Sequence, residues 1–186
     1  FFTRQEVDEF VMEMNAGVEH DLLDCPGRYT VRVATFTGAA TFDGAAGDQG
    51  SRPASFVDPT RLLDSLRGKG WRDPQVSRVA GESQLVEAAD KAHRLTEALR
   101  QAGWQAWEFH DRDASIVCVG AIDSLAVGQG DGRPAVHPEI ARIVAAMSPD
   151  RLDPVSGHPV PRSFGGIMLD VQPKPVDVPR APTRRR

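Results

Sequence analysis

Apolar and polar positions alternate most clearly over residues 29 to 36, YTVRVATF, with Tyr29, Val31 and Val33 on one side and Thr30, Arg32 and Ala34 on the other. A period of two predicts a half-buried strand, and the turn signal CPGR sets its start. From Ser83 to Ala102 the period changes, because Leu85, Ala88, Ala92, Leu95 and Leu99 recur every three or four residues before Gly103. That spacing predicts an amphipathic helix closed by a glycine. WQAWEFH and SIVCVGAI follow as two strand-like runs separated by DRDA, and HPEIARIVAAM, residues 137 to 147, reads as a second helix. GGIMLDVQP, residues 165 to 173, is expected to be the final strand.

This succession of strand, helix, strand, strand, helix, strand predicts an α+β fold. The expected form is a ferredoxin-like split β-α-β sandwich, with a four-stranded antiparallel sheet and two helices on one face. Other segments lie outside that core. In RQEVDEFVMEMN, residues 4 to 15, Val7, Phe10, Val11 and Met14 sit at helical spacing. The stripe would dock either on its own domain or on a partner, since it does not name its acceptor. Residues 37 to 59, rich in Gly, Ala, Ser and Pro, read as a long surface loop. DPTRLLDSLRGKG, residues 58 to 70, reads as a short helix with Asp58 as N-cap and Pro59 at its first position. The chain thus divides into an N-terminal helical extension (1–27), a domain over 28–172 with an insertion at about 37–82, and a proline- and arginine-rich tail (173–186).

With 186 residues, 40% of them hydrophobic, a single packed core is feasible. The net charge of -4 hides an acidic beginning and the basic end RAPTRRR. Three terminal arginines read as a solvated end, and nucleic acid is not expected as a partner. Cys25 and Cys118 are too few for a disulfide framework and lack zinc spacing, so they do not fix the redox compartment. No apolar run is long enough to span a bilayer. Because the chain begins at Phe1 rather than Met, a processed or truncated start is expected.

HDRD, residues 110 to 113, is the densest cluster of reactive side chains. As an active site it lacks a Ser, Cys or second His at a recognisable spacing, and as a metal site it lacks a second ligand cluster. It fits a hairpin turn, which Asp favours. GQGDG, residues 128 to 132, lacks the lysine of a phosphate loop, and DGAAGDQG matches no calcium loop. No catalytic residue, metal or cofactor is expected.

Several of these runs resemble the SPOR domain, a bacterial cell-envelope module that binds peptidoglycan. YTVRVATF is similar to its first strand, of the type Y-x-V-Q-V-x-S-F. Ala92, Leu95, Leu99, Gly103 and Ala106 resemble its first helix and second strand, and Val117, Val119, Gly120 and Ile122 resemble its third strand. Arg32 stands where the family usually has Gln, Ile122 replaces a Phe, and about fifty residues separate the first strand from the first helix where the family has a short connection.

The resemblance implies a non-catalytic domain of the envelope, in the periplasm, whose helix-free sheet face cradles glycan strands. Alternation directs Val31, Val33, Val117 and Val119 to the helices, leaving Arg32, Ala34, Ile116, Cys118 and Trp107 on that face as candidate ligand-binding residues. An aromatic ring suits the apolar faces of sugars, and Arg32 suits hydroxyl or carboxylate groups. The same residues could instead be buried by the insertion or by the N-terminal helix. The competing expectation is therefore a structural, protein-interaction subunit of an envelope assembly, docking on neighbours through the N-terminal helix, the insertion and the tail.

Overall fold

A computed structural model describes residues 7–37, 80–128 and 134–181, and the side chains of residues 80–83 are not included. The loop expected beyond Thr37, the short helix at 58–70 and most of GQGDG lie outside the described residues. The elements in chain order are α1 (Glu9–Asn15), a turn of 3-10 helix (Leu22–Asp24), β1 (Tyr29–Thr37), α2 (Ala80–Gln101), β2 (Ala106–His110) and β3 (Ala114–Ile122). These are followed by β4 (Ala126–Gly128), β5 (Pro134–Val136), α3 (Pro138–Met147), β6 (Ser163–Phe164), β7 (Ile167–Met168) and β8 (Lys174–Asp177).

The helices start and stop where side chains satisfy their free backbone groups. Asp8 caps α1 by accepting a hydrogen bond from the Val11 amide at 3.1 Å. His137 caps α3, its Nδ1 accepting from the Glu139 amide, and Pro138 takes the first position, where no amide is needed. At the end of α2 the Trp104 amide donates to the Leu99 carbonyl and the Gly103 amide to that of Arg100, with Gly103 at φ +85°. This is the Schellman closure that a terminal glycine permits.

Four strands form one antiparallel sheet in the order β2-β3-β1-β8. Chain order and sheet order fit an α+β split β-α-β sandwich. Helix α2 packs across β1, β2 and β3, and α3 packs on β1 and β3. Between them lies the main core, in which Val31, Val33, Val117 and Val119 meet Leu95, Leu99, Ile143 and Met147. All eight are almost completely shielded, so each contributes about 1.5–3 kcal/mol of apolar burial. At Gly120, with φ +87°, β3 carries an extra residue relative to β1, a glycine bulge that tightens the sheet's twist.

Two expectations are corrected. The fourth sheet strand is not GGIMLDVQP but Lys174–Asp177, within the segment read as tail. Gly165 and Gly166 both have positive φ and form the two-residue turn of the β6–β7 hairpin, so Ile167–Met168 pairs back on Ser163–Phe164 rather than with the main sheet. Pro175 is tolerated in β8 because this is an edge strand. Ala34 lies in the helix-side core rather than on the opposite face. A bulge in β1, where Arg32 pairs with Cys118 but Ala34 pairs with Val117, shifts the alternation by one residue. The Val33 carbonyl and Thr35 amide at this bulge are satisfied by the Asp170 amide (2.8 Å) and carboxylate (3.2 Å).

The two kinds of position should differ in unfolding experiments. Leu95→Ala, at a fully buried site, should cost about 2–5 kcal/mol in urea denaturation. Gly103→Ala has open space around the new methyl group but forces a left-handed conformation, and should cost only about 1–2 kcal/mol.

Candidate functional site

The sheet face away from α2 and α3 is apolar. Phe109, Ile116, Cys118 and Val178 are buried there, with Trp107, Ala121 and Val176 partly so. What covers them is the N-terminal segment, residues 7–27, which lays Val7, Val11, Leu22 and Cys25 onto this face, flanked by Phe10, Met12 and Leu23. The amphipathic stripe of α1 thus docks on its own domain, and the chain from Val7 to Gly27 acts as a strap across the sheet.

Polar contacts fix the strap along the edge strand β2 and at its ends. The Asn15 side chain donates to the His110 carbonyl and accepts from the His110 amide, both at 2.8 Å. The Glu108 amide donates to the His20 carbonyl at 2.9 Å, and Asp21 forms a parallel bridge with Glu108. An edge strand's outward amides need partners, and the strap supplies them. Arg180 donates to the carbonyls of Cys25 and Gly27, at 3.0 and 2.7 Å. Asp8 pairs with Arg112 at 2.7 Å, and the Arg112 guanidinium lies over the Phe10 ring.

The structure brings most of the expected site residues together, but not on an open surface. Cys118 is fully shielded and Ile116 is 7% exposed beneath the strap. Trp107 is half-buried, with Arg100 against its ring at 5.8 Å. Arg32 reaches sideways toward Asp170, at 4.0 Å, and Ala34 belongs to the other face. Among the described residues, Ile116 and Cys118 thus lie in the core that the strap forms with the sheet. Burial pushes both cysteine thiols up, Cys118 the further, so neither is poised as a thiolate nucleophile.

HDRD is a turn, closed by the Asp111 amide donating to the Ala114 carbonyl at 2.8 Å. Its first residue does more than the sequence indicated. His110 Nδ1 lies 2.9 Å from Ser115 Oγ, with both residues almost wholly buried, and burial lowers the His110 pKa. This pair is shielded from solvent.

Beside it runs a polar seam that the sequence reading did not single out. Glu108 is 2% exposed and its Oε1 lies 3.1 Å from His93 Nδ1 on α2. The hydrogen bond to Glu108 raises the His93 pKa. Asp21, 8% exposed, has its pKa raised to about 6 by burial, with Asp24 and Glu108 adding to the shift. Strand alternation carried a signal for this seam: Glu108 and His110 share the parity of Ala106 and must enter the covered side, where a charged group needs a partner. Glu19, His20 and Glu97 bring one side-chain atom each within 4.8 Å of one another nearby. Solvent reaches all three, and we assign no metal to them.

No family model, curated protein or solved structure matches the chain. Among the described residues, no helix is long and apolar enough to cross a membrane.

Asn15→Ala should cost about 2–3 kcal/mol in denaturant unfolding, because it leaves the buried amide and carbonyl of His110 unpaired. The His93–Glu108 pair sets a pH dependence of stability. A histidine whose folded pKa is raised stabilises fully below its unfolded value, near 6.5, and loses that contribution as pH rises through the folded value. Relative to His93→Gln, the wild-type chain should therefore gain thermal stability as pH falls toward 6.5. Parallel melting curves across the range would contradict the pair.

Proposed function

We propose that this chain is a non-catalytic, protein-interacting domain of a cell-envelope assembly, built on a SPOR-like sheet whose ligand face is occupied by its own N-terminal strap. The observation that supports this reading is the burial of Phe109, Ile116 and Cys118 beneath Val7, Val11 and Leu22. Glycan binding in the manner of the resembled family needs that face open. The envelope assignment rests on the sequence resemblance in β1, α2 and β3.

With the sheet covered on both sides, contacts to other molecules fall to the outer surface. Apolar side chains collect on the excursion between α3 and β8, where Leu152 is 65% exposed, Met168 69% and Val155 94%. Leu152 and Val171 line an open depression of about 430 Å³ with Pro149, Pro159, Asp150, Arg151 and Gln172. The pairing of Leu152 with Val171 in one depression supports this region as the interaction surface.

Co-sedimentation with purified peptidoglycan sacculi separates the two readings. The full chain should remain in the supernatant, with Trp107→Ala and Arg32→Glu behaving identically. Sedimentation that either substitution abolishes would restore the glycan reading. A photo-crosslinker at position 152 in cells should form discrete protein adducts that Val171→Lys reduces without changing the melting temperature, and adducts indifferent to that change would remove the excursion from the interface.

A further inference from the structure

Where the strap runs beside β2, it brings one acidic residue next to another. Asp21, 8% exposed, pairs with Glu108 in a parallel backbone bridge between the strap and β2, and the Glu108 amide donates to the adjacent His20 carbonyl. Two carboxyl groups at one shielded bridge is an arrangement that folded proteins tolerate only when partners neutralise them. Glu108 has one such partner, His93 on α2, bonded to Oε1, while its buried Oε2 has no hydrogen-bond partner. Asp21 accepts from the Leu23 amide at 2.9 Å, and among the charged groups acting on it are Asp24 and Glu108, both negative.

We propose that the strap is a proton-gated cover of the sheet face: it docks most tightly while the buried Asp21 carboxyl carries a proton, and it loosens when that proton leaves. The inference does not depend on which partner the uncovered face would meet.

The direction of the effect follows from where Asp21 titrates. Free of the sheet, it ionises near the ordinary aspartate value of 3.8, and burial at the bridge raises this to about 6 when the strap is docked. Docking is therefore strongest below the first value, weakens as pH rises between the two, and is level above the second. Other titrating groups along the strap act differently. The Asp8 carboxyl is held below its ordinary value by Arg112, so its contribution is lost only in more acid solution. His110, whose pKa is lowered by burial next to the Asn15 clamp, opposes docking as pH falls below its ordinary value. Comparison with Asp21→Asn cancels both, because the variant keeps the capping oxygen and removes only the ionisation.

Two amides report on the strap directly, since those of Glu108 and His110 donate to it rather than to the sheet. Amides in the central strand β3 report on the sheet. Hydrogen exchange on the full chain, corrected for intrinsic rates, should give equal protection at Glu108 and His110 in wild type and Asp21→Asn near pH 4. At pH 7 the variant should be better protected by about tenfold or more, the β3 amides showing no such change. A ratio that is the same at both pH values, or that changes equally in β3, overturns the proposal. Titration of the Asp21 carboxyl carbon by NMR supplies a second reading, with a midpoint near 6 expected, and a midpoint at the ordinary aspartate value contradicting it.

Discussion

The central strand β3 requires cover on both sides, and the rest of the architecture answers that requirement. Ile116, Val117, Cys118 and Val119 are consecutive apolar residues in a strand, so they project alternately to two faces and neither face can be left to water. Helices α2 and α3 shield the face that holds Val117 and Val119. The face of Ile116 and Cys118 is shielded by the strap. Without it, the four-stranded sheet would expose a patch running from Trp107 through Phe109 and Ile116 to Val178.

Apolar burial alone does not say where along the sheet the strap should lie. That register comes from polar groups. β2 is an edge strand whose outward amides at Glu108 and His110 need acceptors, and His20 and Asn15 provide them at hydrogen-bond distance. A slip of the strap by one residue would break both bonds and bury two unpaired amides, a cost of about 1–3 kcal/mol each. The hydrophobic contacts attach the strap, and the bonds to β2 align it. Arg180 closes the far end, joining the segment after β8 to the strap's last turn through two carbonyls.

For function, the decisive consequence is that the surface implied by the SPOR resemblance is already occupied. Between α3 and β8, Leu152, Val155, Met168 and Val171 are exposed. The strap also sets buried Asp21 beside buried Glu108, whose carboxylate reaches His93 at the exposed surface of α2. The residues that carry the resemblance in β1, α2 and β3 build the helix-side core, and of the departures Ile122 is buried in that same core.

Local order was legible in the sequence wherever it rests on short-range chemistry. The period-two run of β1, the three-to-four spacing of α2 with Gly103 as its stop, the stripe of α1 and the HDRD turn are each fixed by neighbours a few residues apart. Ala34 and the fourth strand were misread for reasons that lie between strands. A bulge is a mismatch of two registers, and one chain segment cannot display it. Lys174–Asp177, with its proline, forms a strand only because the free edge of β1 is there to pair with. The sequence by itself determined that β3 is apolar on both faces and that an amphipathic segment precedes it. Only the tertiary structure decided that the one covers the other, because burial by a distant segment of the same chain depends on where chain reversal brings it, and no spacing records that.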